Sequence, residues 1–168
     1  MVAVWLFADG TGSRGASGSL VGRLHDKLVE RSGGSLTTAS PSALVGKEYV
    51  ALYFSAHWCP PCRAFTPVLS RFYDEVSRAH PEFQLILVSG DRDAGSMEEY
   101  IRWGEMNFPA VAFDRIGESG LREYSARGIP YLVVLDAQGN EIIGKGSGES
   151  YREPGSVLAE LKGLLAGS

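Results

Sequence analysis

The sequence predicts an α/β sandwich of three layers, with helices on both faces of a mixed central sheet and a β-hairpin and helix at the end of the chain. Short, nearly unbroken apolar runs alternate with amphipathic segments, as in sheets that are buried on both faces. The last two apolar runs are joined by the turn AQGN, and a segment of helical periodicity follows them. We therefore expect a sheet that is parallel in its first half and antiparallel at its end.

The beginning of the chain divides into an extension and the start of a domain. We interpret residues 1–18 as an N-terminal extension of unknown role and residues 19–168 as one domain. The apolar start MVAVWLFA is compatible with a short strand, and the GTGSRGASGS that follows has the composition of a flexible linker. Helical spacing then recurs at Leu20, Val21, Leu24 and Leu28. The polar stretch 32–47 predicts a loop, a turn and one extended segment at most.

The middle of the chain predicts a strand, a helix and a second strand. The apolar run Tyr49–Ser55 is too short for a typical helix and has the character of a central strand. A following amphipathic helix of about five turns is marked by apolar residues at helical spacing. These residues are Phe65, Val68, Leu69, Phe72 and Val76. The helix is expected to end near His80, because the residue before a proline avoids helical backbone. Leu85–Ser89 predicts the next buried strand.

The second half of the chain alternates in the same way. A helix marked by Met97, Tyr100 and Ile101 comes first, and a strand or extended segment at Ala110–Phe113 follows it. A short helix within 117–127 then precedes two strands, Tyr131–Asp136 and Glu141–Lys145. The final predicted helix carries Val157, Leu158, Leu161, Leu164 and Leu165. The turn between the last two strands predicts a hairpin, so the end of the sheet should be antiparallel.

Length and composition restrict the class of protein. A chain of 168 residues with 44% hydrophobic and 21% charged residues is typical of one globular domain with a proper core. The formal charge of -4 and the lack of clustered lysine or arginine argue against a nucleic-acid partner. The apolar start lacks a basic region and soon meets Asp9, so neither a membrane span nor an export signal is expected. We expect a cytoplasmic monomer, with export as the alternative if a signal was removed before residue 1.

Both cysteines of the chain lie in the stretch SAHWCPPCRAFTP, between the predicted strand and the predicted helix. A disulfide between Cys59 and Cys62 would close too short a loop to stabilise the fold, so structural cross-linking is not expected. A sulfur in the first turn of a helix faces unpaired backbone N–H groups and the positive end of the helix dipole. Both favour the thiolate, so we predict that Cys59 is a nucleophile with a lowered pKa and that Cys62 is the resolving thiol.

The residues beside the cysteines affect the hydrogen bonding, the rigidity and the surroundings of this pair. Pro60 and Pro61 have no N–H, so the backbone donor left to the sulfur of Cys59 is chiefly that of Cys62. Pro60 also suits the first helical position, where its fixed φ holds the motif stiffly. Trp58 is expected to shield the site and offer a flat contact surface for a substrate, and Arg63 adds a positive charge nearby.

Two other roles for the cysteine pair stay open. A zinc site needs two further ligands, and His25, His57 and His80 lack the paired spacing of a closed structural site. Two inert core cysteines would leave the strand-to-helix position of the motif unexplained. We therefore predict a redox pair, with no metal ligand and no cofactor.

The segments YFSAHWCPPCRAFTP and RGIPYLVVLDAQGN, with Pro67 inside the predicted helix, resemble the thioredoxin superfamily, most closely its nucleoredoxin and tryparedoxin branch. The resemblance covers residues from about Leu24 to Leu165 and implies a thioredoxin-like fold. It also implies that the bond between Ile129 and Pro130 is cis and faces the cysteines, with the Ile129 backbone pairing with a substrate peptide. Disulfide-containing protein substrates and an upstream reductant are the implied partners.

The sequence departs from ordinary thioredoxins at one place and from tryparedoxins at another. Tyr53 stands where ordinary thioredoxins carry a buried aspartate, as in the nucleoredoxin and tryparedoxin branch, so proton transfer from Cys62 would use water, the Tyr53 hydroxyl or another acid. Asp91 could approach the site, although we expect a solvated loop aspartate. Tryparedoxins carry SWDE where this chain has Ser-Gly-Asp-Arg, and Arg92 would repel their cationic glutathione–spermidine conjugate.

These features favour a reductase of protein disulfides. One alternative is a binding module that uses Trp58 and Ile129 to hold a partner while the cysteines stay idle. Another is an electron carrier of the tryparedoxin type that supports a peroxidase. A peroxidase in its own right is the weakest reading, because the sequence has no obvious Thr-x-x-Cys arrangement.

Overall fold

The computed structural model describes residues 19–144 and 151–168. Within these ranges the strands are β1 (Leu28–Ser32), β2 (Ser35–Thr38), β3 (Tyr49–Ser55), β4 (Phe83–Ser89), β5 (Ala110–Val111), β6 (Tyr131–Asp136) and β7 (Glu141–Ile143). The helices are α1 (Leu20–Leu24), α2 (Pro60–Val76), α3 (Ala94–Trp103) and α4 (Pro154–Ala166), with short 3₁₀ helices at Pro41–Ala43, Phe113–Arg115 and Leu121–Tyr124. The predicted N-terminal strand and linker, and Lys145 of the predicted last strand, lie outside the described residues.

The strands form one mixed sheet in the order β2-β1-β5-β4-β3-β6-β7. Strands β3, β4 and β5 are parallel neighbours, whereas β6 runs antiparallel to β3, and β7 antiparallel to β6. At the opposite edge, β1 is antiparallel to both β5 and β2. The predicted sheet is therefore confirmed, and an antiparallel pair is added at its far edge.

Helices cover both faces of this sheet, as the burial of β3 side chains on each face shows. Successive side chains of a strand point to opposite faces, and all residues of β3 after Tyr49 are buried. Ala51 and Tyr53 pack in the core on the side of α2, α3 and α4. Leu52 and Phe54 pack on the other side, with α1 and the 3₁₀ helices. The three-layer prediction is confirmed, because a central strand of this kind needs cover on both faces.

The predicted first helix is too long. Leu20 and Leu24 are buried in α1 as their spacing indicates, but the helix ends there. Leu28, which continues the helical spacing, is the first residue of β1 and pairs with Val111 across the sheet. Pairing with a distant strand therefore decides the conformation of this residue, and the local pattern does not.

The polar stretch after Leu28 forms a hairpin where the sequence indicated one extended segment at most. β1 and β2 pair directly, with Ser32 opposite Ser35 and the two glycines between them. Gly33 has a φ of 61°, a backbone conformation that a side chain disfavours. β2 is an edge strand whose residues are mostly exposed, so it has no apolar alternation for a sequence pattern to detect.

The other predicted elements are present, with shifted ends. α2 stops at Val76, ahead of His80 and Pro81 as expected. The predicted strand at Ala110–Phe113 ends at Val111, because the chain turns into a 3₁₀ helix at Phe113. None of the helices among residues 19–144 and 151–168 is both long and apolar enough to cross a membrane.

The topology brings three segments to one end of the sheet. β3 and β4 are parallel, so the segments that follow Ser55 and Ser89 leave the sheet at the same end, where the carboxyl ends of these strands lie. β6 is antiparallel to β3 and pairs its first residue, Tyr131, with Phe54. The segment that precedes β6, which contains Pro130, therefore lies at the same end as the cysteine motif.

Candidate active site

Cys59 and Cys62 form a disulfide at the start of α2, with their Cα atoms 5.2 Å apart. Cys59 is the N-cap of the helix, in extended conformation, and Pro60 and Pro61 occupy the first two helical positions. The backbone N–H of Cys62 donates to the Sγ of Cys59 over 3.3 Å. This is the donor that the two prolines leave to the sulfur, since neither has an N–H of its own.

The two cysteines differ in their access to solvent. Cys62 is completely buried, whereas Cys59 keeps 4% of its surface exposed. Both pack against Ala56 and the half-buried Ile129. A reaction partner can therefore reach only the first sulfur, and only through a narrow approach.

The Ile129–Pro130 peptide bond is cis and lies against the cysteines. The carbonyl oxygen of Ile129 is 3.8 Å from the Sγ of Cys59. Pro130 is buried and Ile129 is half-buried, so the edge of this segment closes one side of the approach to the sulfur. The antiparallel pairing of β6 with β3 is what brings the segment to this place.

Trp58 forms a second side of the approach. Its side chain is 53% exposed, yet the indole Nε1–H donates to the carbonyl of Gly90 over 3.0 Å. The ring is thus anchored to the loop after β4 while it presents a large apolar surface. Arg63 lies on the same side, where its guanidinium donates to the carbonyl of His57 over 3.0 Å.

Asp91 corrects one expectation, because it is a buried residue and not a solvated one. Its carboxylate accepts the backbone N–H of His57 at 2.8 Å and the hydroxyl of Ser89 at 2.8 Å. Only 9% of the residue is exposed. The loop after β4 folds back against the turn after β3, so Asp91 ties the segment just ahead of Cys59 to the neighbouring strand.

Tyr53 lies beneath α2 and is completely buried. Its hydroxyl is 2.9 Å from Thr66 Oγ1 and donates weakly to the carbonyl of Cys62 at 3.4 Å. Burial raises the pKa of Tyr53 far above its ordinary value, so the phenol stays protonated throughout the neutral range. A group in that state is a poor proton acceptor, which leaves water or another acid for proton transfer from Cys62.

The hydroxyl of Tyr53 belongs to a buried network that the sequence analysis missed. Thr66 Oγ1 donates to the carbonyl of Cys62 at 2.9 Å and contacts the hydroxyl of Tyr100. The same Tyr100 hydroxyl is 2.6 Å from Ser55 Oγ. A threonine four residues after Cys62 could have been foreseen as a partner of that carbonyl. Tyr100 comes from α3, and nothing in the local pattern points to it.

Arg92 lies on the surface beside Trp58. The two residues, together with Arg63, line a depression of about 370 Å³ next to the cysteine motif. Within the parts of the chain that the structure describes, no group of three or more His, Cys, Asp or Glu residues is arranged to hold a metal ion. The groups that surround the sulfurs are aromatic, aliphatic and hydrogen-bonding.

A disulfide-bonded cysteine pair at the junction of a central strand and a helix, opposite a cis-proline, is an arrangement typical of thiol–disulfide redox proteins. The model of a family described as thioredoxin-like matches residues 46–141. The chain belongs to this thioredoxin-like family.

Curated relatives refine the placement within the family. Mouse nucleoredoxin is 44% identical over 121 residues, which are 71% of this chain and 26% of nucleoredoxin. Tryparedoxin from Trypanosoma brucei brucei is 39% identical over 120 residues, which are 70% of this chain and 77% of tryparedoxin. The chain therefore spans about a quarter of the nucleoredoxins that it matches and most of tryparedoxin.

Solved structures agree with this placement. Thioredoxin from Wuchereria bancrofti is 34% identical with a TM-score of 0.63, and the match covers 84% of this chain and 97% of that one. Tryparedoxin II complexed with glutathionylspermidine is 32% identical with a TM-score of 0.59, and the match covers 71% and 81% of the two chains. The predicted thioredoxin-like fold and the nucleoredoxin and tryparedoxin resemblance are confirmed.

Proposed function

We propose that this chain reduces disulfide bonds of protein substrates through a dithiol–disulfide cycle of Cys59 and Cys62. The observation that carries the proposal is the difference in access between two sulfurs at one helix N-terminus. Cys59 keeps 4% of its residue surface exposed, whereas Cys62 is completely buried. The helix terminus, through the N–H of Cys62, provides the environment that favours a thiolate at Cys59.

The cycle has two exchange steps. In the reduced protein, the Cys59 thiolate attacks one sulfur of the substrate disulfide, which forms a mixed disulfide and releases the other substrate sulfur as a thiolate. Cys62 loses its proton and attacks the Sγ of Cys59, which releases the second substrate thiolate and leaves the Cys59–Cys62 disulfide. An external dithiol then donates two electrons and two protons to restore both thiols.

The surrounding residues have positioning roles in this proposal. The exposed ring of Trp58 offers a contact surface, and the backbone of Ile129 pairs with an extended substrate segment. Pro60 and Pro61 hold the motif stiffly, while Pro130 shapes the approach to Cys59. Arg92 contacts the substrate from the neighbouring loop. Because such a cycle needs thiols kept reduced, we propose a cytoplasmic location.

Insulin reduction by dithiothreitol tests the function. The native chain is expected to accelerate precipitation of the reduced insulin chains, whereas Cys59→Ser is expected to fall to the rate of dithiothreitol alone. Cys62→Ser should instead accumulate a mixed disulfide that survives a non-reducing gel and disappears with excess thiol, because the resolving step is removed.

Two results would contradict the proposal. Equal rates for the native chain and Cys59→Ser would show that the cysteines are idle. Partner capture that persists in Cys62→Ser, with no trapped mixed disulfide, would favour the binding module that uses Trp58 and Ile129.

A second candidate is an electron carrier that serves a peroxidase. The observation in its favour is the 39% identity to a tryparedoxin over most of that protein's length. Exposed Arg92 beside the cysteines disfavours a cationic thiol donor of the glutathionylspermidine kind. Peroxide consumption that requires both this chain and an added thiol peroxidase would support the carrier, and peroxide consumption by this chain alone would support a peroxidase.

A further inference from the structure

The depression beside Cys59 has an arrangement of charges that the cysteine chemistry does not use. We name it the arginine pocket. It is a volume of about 370 Å³ lined by Trp58, Arg63, Asp91, Arg92 and Asp93 together with His57 and Ser96. Trp58 is the residue before Cys59, so the pocket adjoins the approach to that sulfur, where residues that flank a substrate disulfide would lie. The charges of the pocket therefore meet the residues that flank the substrate disulfide.

The two carboxylates of the pocket are already occupied by donors of the protein itself. Asp91 accepts from the backbone N–H of His57 and from the hydroxyl of Ser89, both at 2.8 Å. Asp93 caps α3 and accepts from the backbone N–H and the hydroxyl of Ser96, at 2.7 and 3.0 Å. Each carboxylate therefore uses about half of its roughly four acceptor sites, and Asp91 is in addition nearly buried.

The two guanidinium groups, in contrast, have few hydrogen-bond partners within the protein. Arg92 is exposed and, within residues 19–144 and 151–168, has neither a hydrogen bond nor an ion pair. Arg63 makes one hydrogen bond, to the carbonyl of His57 at 3.0 Å, which leaves the rest of its donors unused. The guanidinium donors of the pocket are thus exposed and mostly unused, whereas its carboxylate acceptors are partly used and Asp91 is nearly buried. The two positive and two negative formal charges cancel.

Resting on the proposed reductase function, we propose that the arginine pocket selects protein substrates whose reactive disulfide is flanked by acidic residues. A carboxylate on the substrate would accept paired hydrogen bonds from a guanidinium whose donors have no other partner. A lysine in the same place would face those cations, and the acceptor sites open to it would be chiefly those of Asp93, because Asp91 is nearly buried. Discrimination between the two substrates has an attractive part and a repulsive part.

The cancelling formal charges determine how large this preference is. Because these charges cancel and the whole chain carries a formal charge of -4, long-range steering does not favour acidic substrates, and the preference comes from directed contacts at the surface. An exposed ion pair of this kind has a modest effect, so we expect about a fivefold difference in rate between acidic and basic substrates. The preference should decline with added salt.

Two synthetic peptide disulfides test the proposal. They differ only in the residues beside the disulfide, two glutamates in one and two lysines in the other. The second-order rate constant of the reduced full-length chain with each peptide is measured at one pH by quenched-flow separation of the products. The ratio of the two rate constants is the readout, because the thiolate fraction of Cys59 affects both substrates equally and cancels.

The acidic peptide is expected to react about fivefold faster with the native chain. Arg92→Glu should abolish or invert this ratio. The matched control is Arg78→Glu, which makes the same change of charge at an exposed arginine beyond the C-terminal end of α2 and should keep the native ratio.

Different failures point to different conclusions. Equal rates for the two peptides, or a ratio that Arg92→Glu leaves unchanged, would overturn the acidic-substrate proposal while the reductase function stands. A common shift of the ratio in Arg92→Glu and Arg78→Glu would overturn it too, because net charge and not the pocket would be responsible. Reaction with neither peptide, together with no insulin reduction, would instead reject the proposed function.

Discussion

The environment of one sulfur atom decides the chemistry at the residue scale. Cys59 is the N-cap of α2, and Cys62, at the third helical position, is the residue whose N–H reaches its Sγ. N-cap acceptors take their hydrogen bonds from the second or third helical position. In this chain the second position is Pro61, which has no donor to offer. The thiolate is therefore stabilised by one backbone donor where two are geometrically possible.

A second donor should make Cys59 more acidic. Pro61→Ala restores an N–H at the second helical position, and a hydrogen bond to a charged group contributes about 1.5 kcal/mol, so we expect the pKa of the Cys59 thiol to fall by about one unit. The pH dependence of alkylation by iodoacetamide in the reduced protein measures this pKa. Pro60→Ala is the control, because the first helical position does not serve the cap. A pKa that falls by a similar amount in both variants, or that does not fall in Pro61→Ala, would contradict the role assigned to Pro61.

At the scale of elements, the contact between α2 and the end of α3 packs against the buried side of the site. Thr66 of α2 is fully buried and holds the carbonyl of Cys62. Gly104 follows the last residue of α3, and a Cβ built on it would lie 2.7 Å from Thr66 Cγ2 and 3.0 Å from Met106 Cε. The glycine thus permits a helix end to approach the helix that carries the cysteines.

Two glycine-to-alanine changes should have opposite effects on stability. Gly104→Ala is expected to lower the free energy of unfolding by about 1–3 kcal/mol, because overpacking forces Thr66 to move. Gly163→Ala, in the exposed part of α4 with no atom within 4 Å of its Cβ, should raise it by about 0.5–1 kcal/mol. Urea unfolding measures both. A stable Gly104→Ala variant would show that the contact between the two helices is loose.

At the scale of the whole molecule, buried tyrosines make stability depend on alkaline pH. Burial raises the pKa of Tyr73 and of Tyr131 to about 12, and raises that of Tyr53 further. In the unfolded chain each phenol ionises near its ordinary value of about 10. Above that pH the unfolded chain binds fewer protons than the folded chain, so the stabilisation present below pH of about 10 is lost as the pH rises.

Unfolding free energies measured in urea between pH 8 and pH 11.5 should therefore be level at first and then fall. The slope reaches about 1.4 kcal/mol per pH unit for each tyrosine that stays protonated in the folded state. Tyr73→Phe removes one of these groups and should make the fall shallower by that amount. A stability that stays constant through pH 11 would mean that the buried phenols ionise as easily as exposed ones.

Local patterns predicted most of the core elements. The apolar run of β3 and the helical spacing of α2 both identified their elements, because burial on two faces leaves an unbroken apolar run and burial on one face leaves a helical period. The same reasoning failed at Leu28, whose helical spacing is real but whose backbone pairs with Val111. It also failed at the polar strand β2, where an exposed edge leaves no period to find.

The sequence by itself determined the geometry of the cysteine pair. A spacing of two residues at a strand-to-helix junction puts Cys59 and Cys62 on one helical turn, and the prolines between them leave one N–H for the sulfur. These are local consequences of chain geometry, so no distant contact was needed to infer them.

The tertiary structure alone decided what surrounds that pair. Asp91 is buried against the turn before Cys59, and Tyr100 reaches Thr66 beneath Cys62, although 34 residues separate each of these contacting pairs in the chain. Ile129 comes 70 residues after the sulfur that its carbonyl approaches, and only the family resemblance, not any local pattern, indicated its place. Such contacts depend on which strands become neighbours in the sheet, and strand order follows from the packing of the whole chain and not from any segment of it.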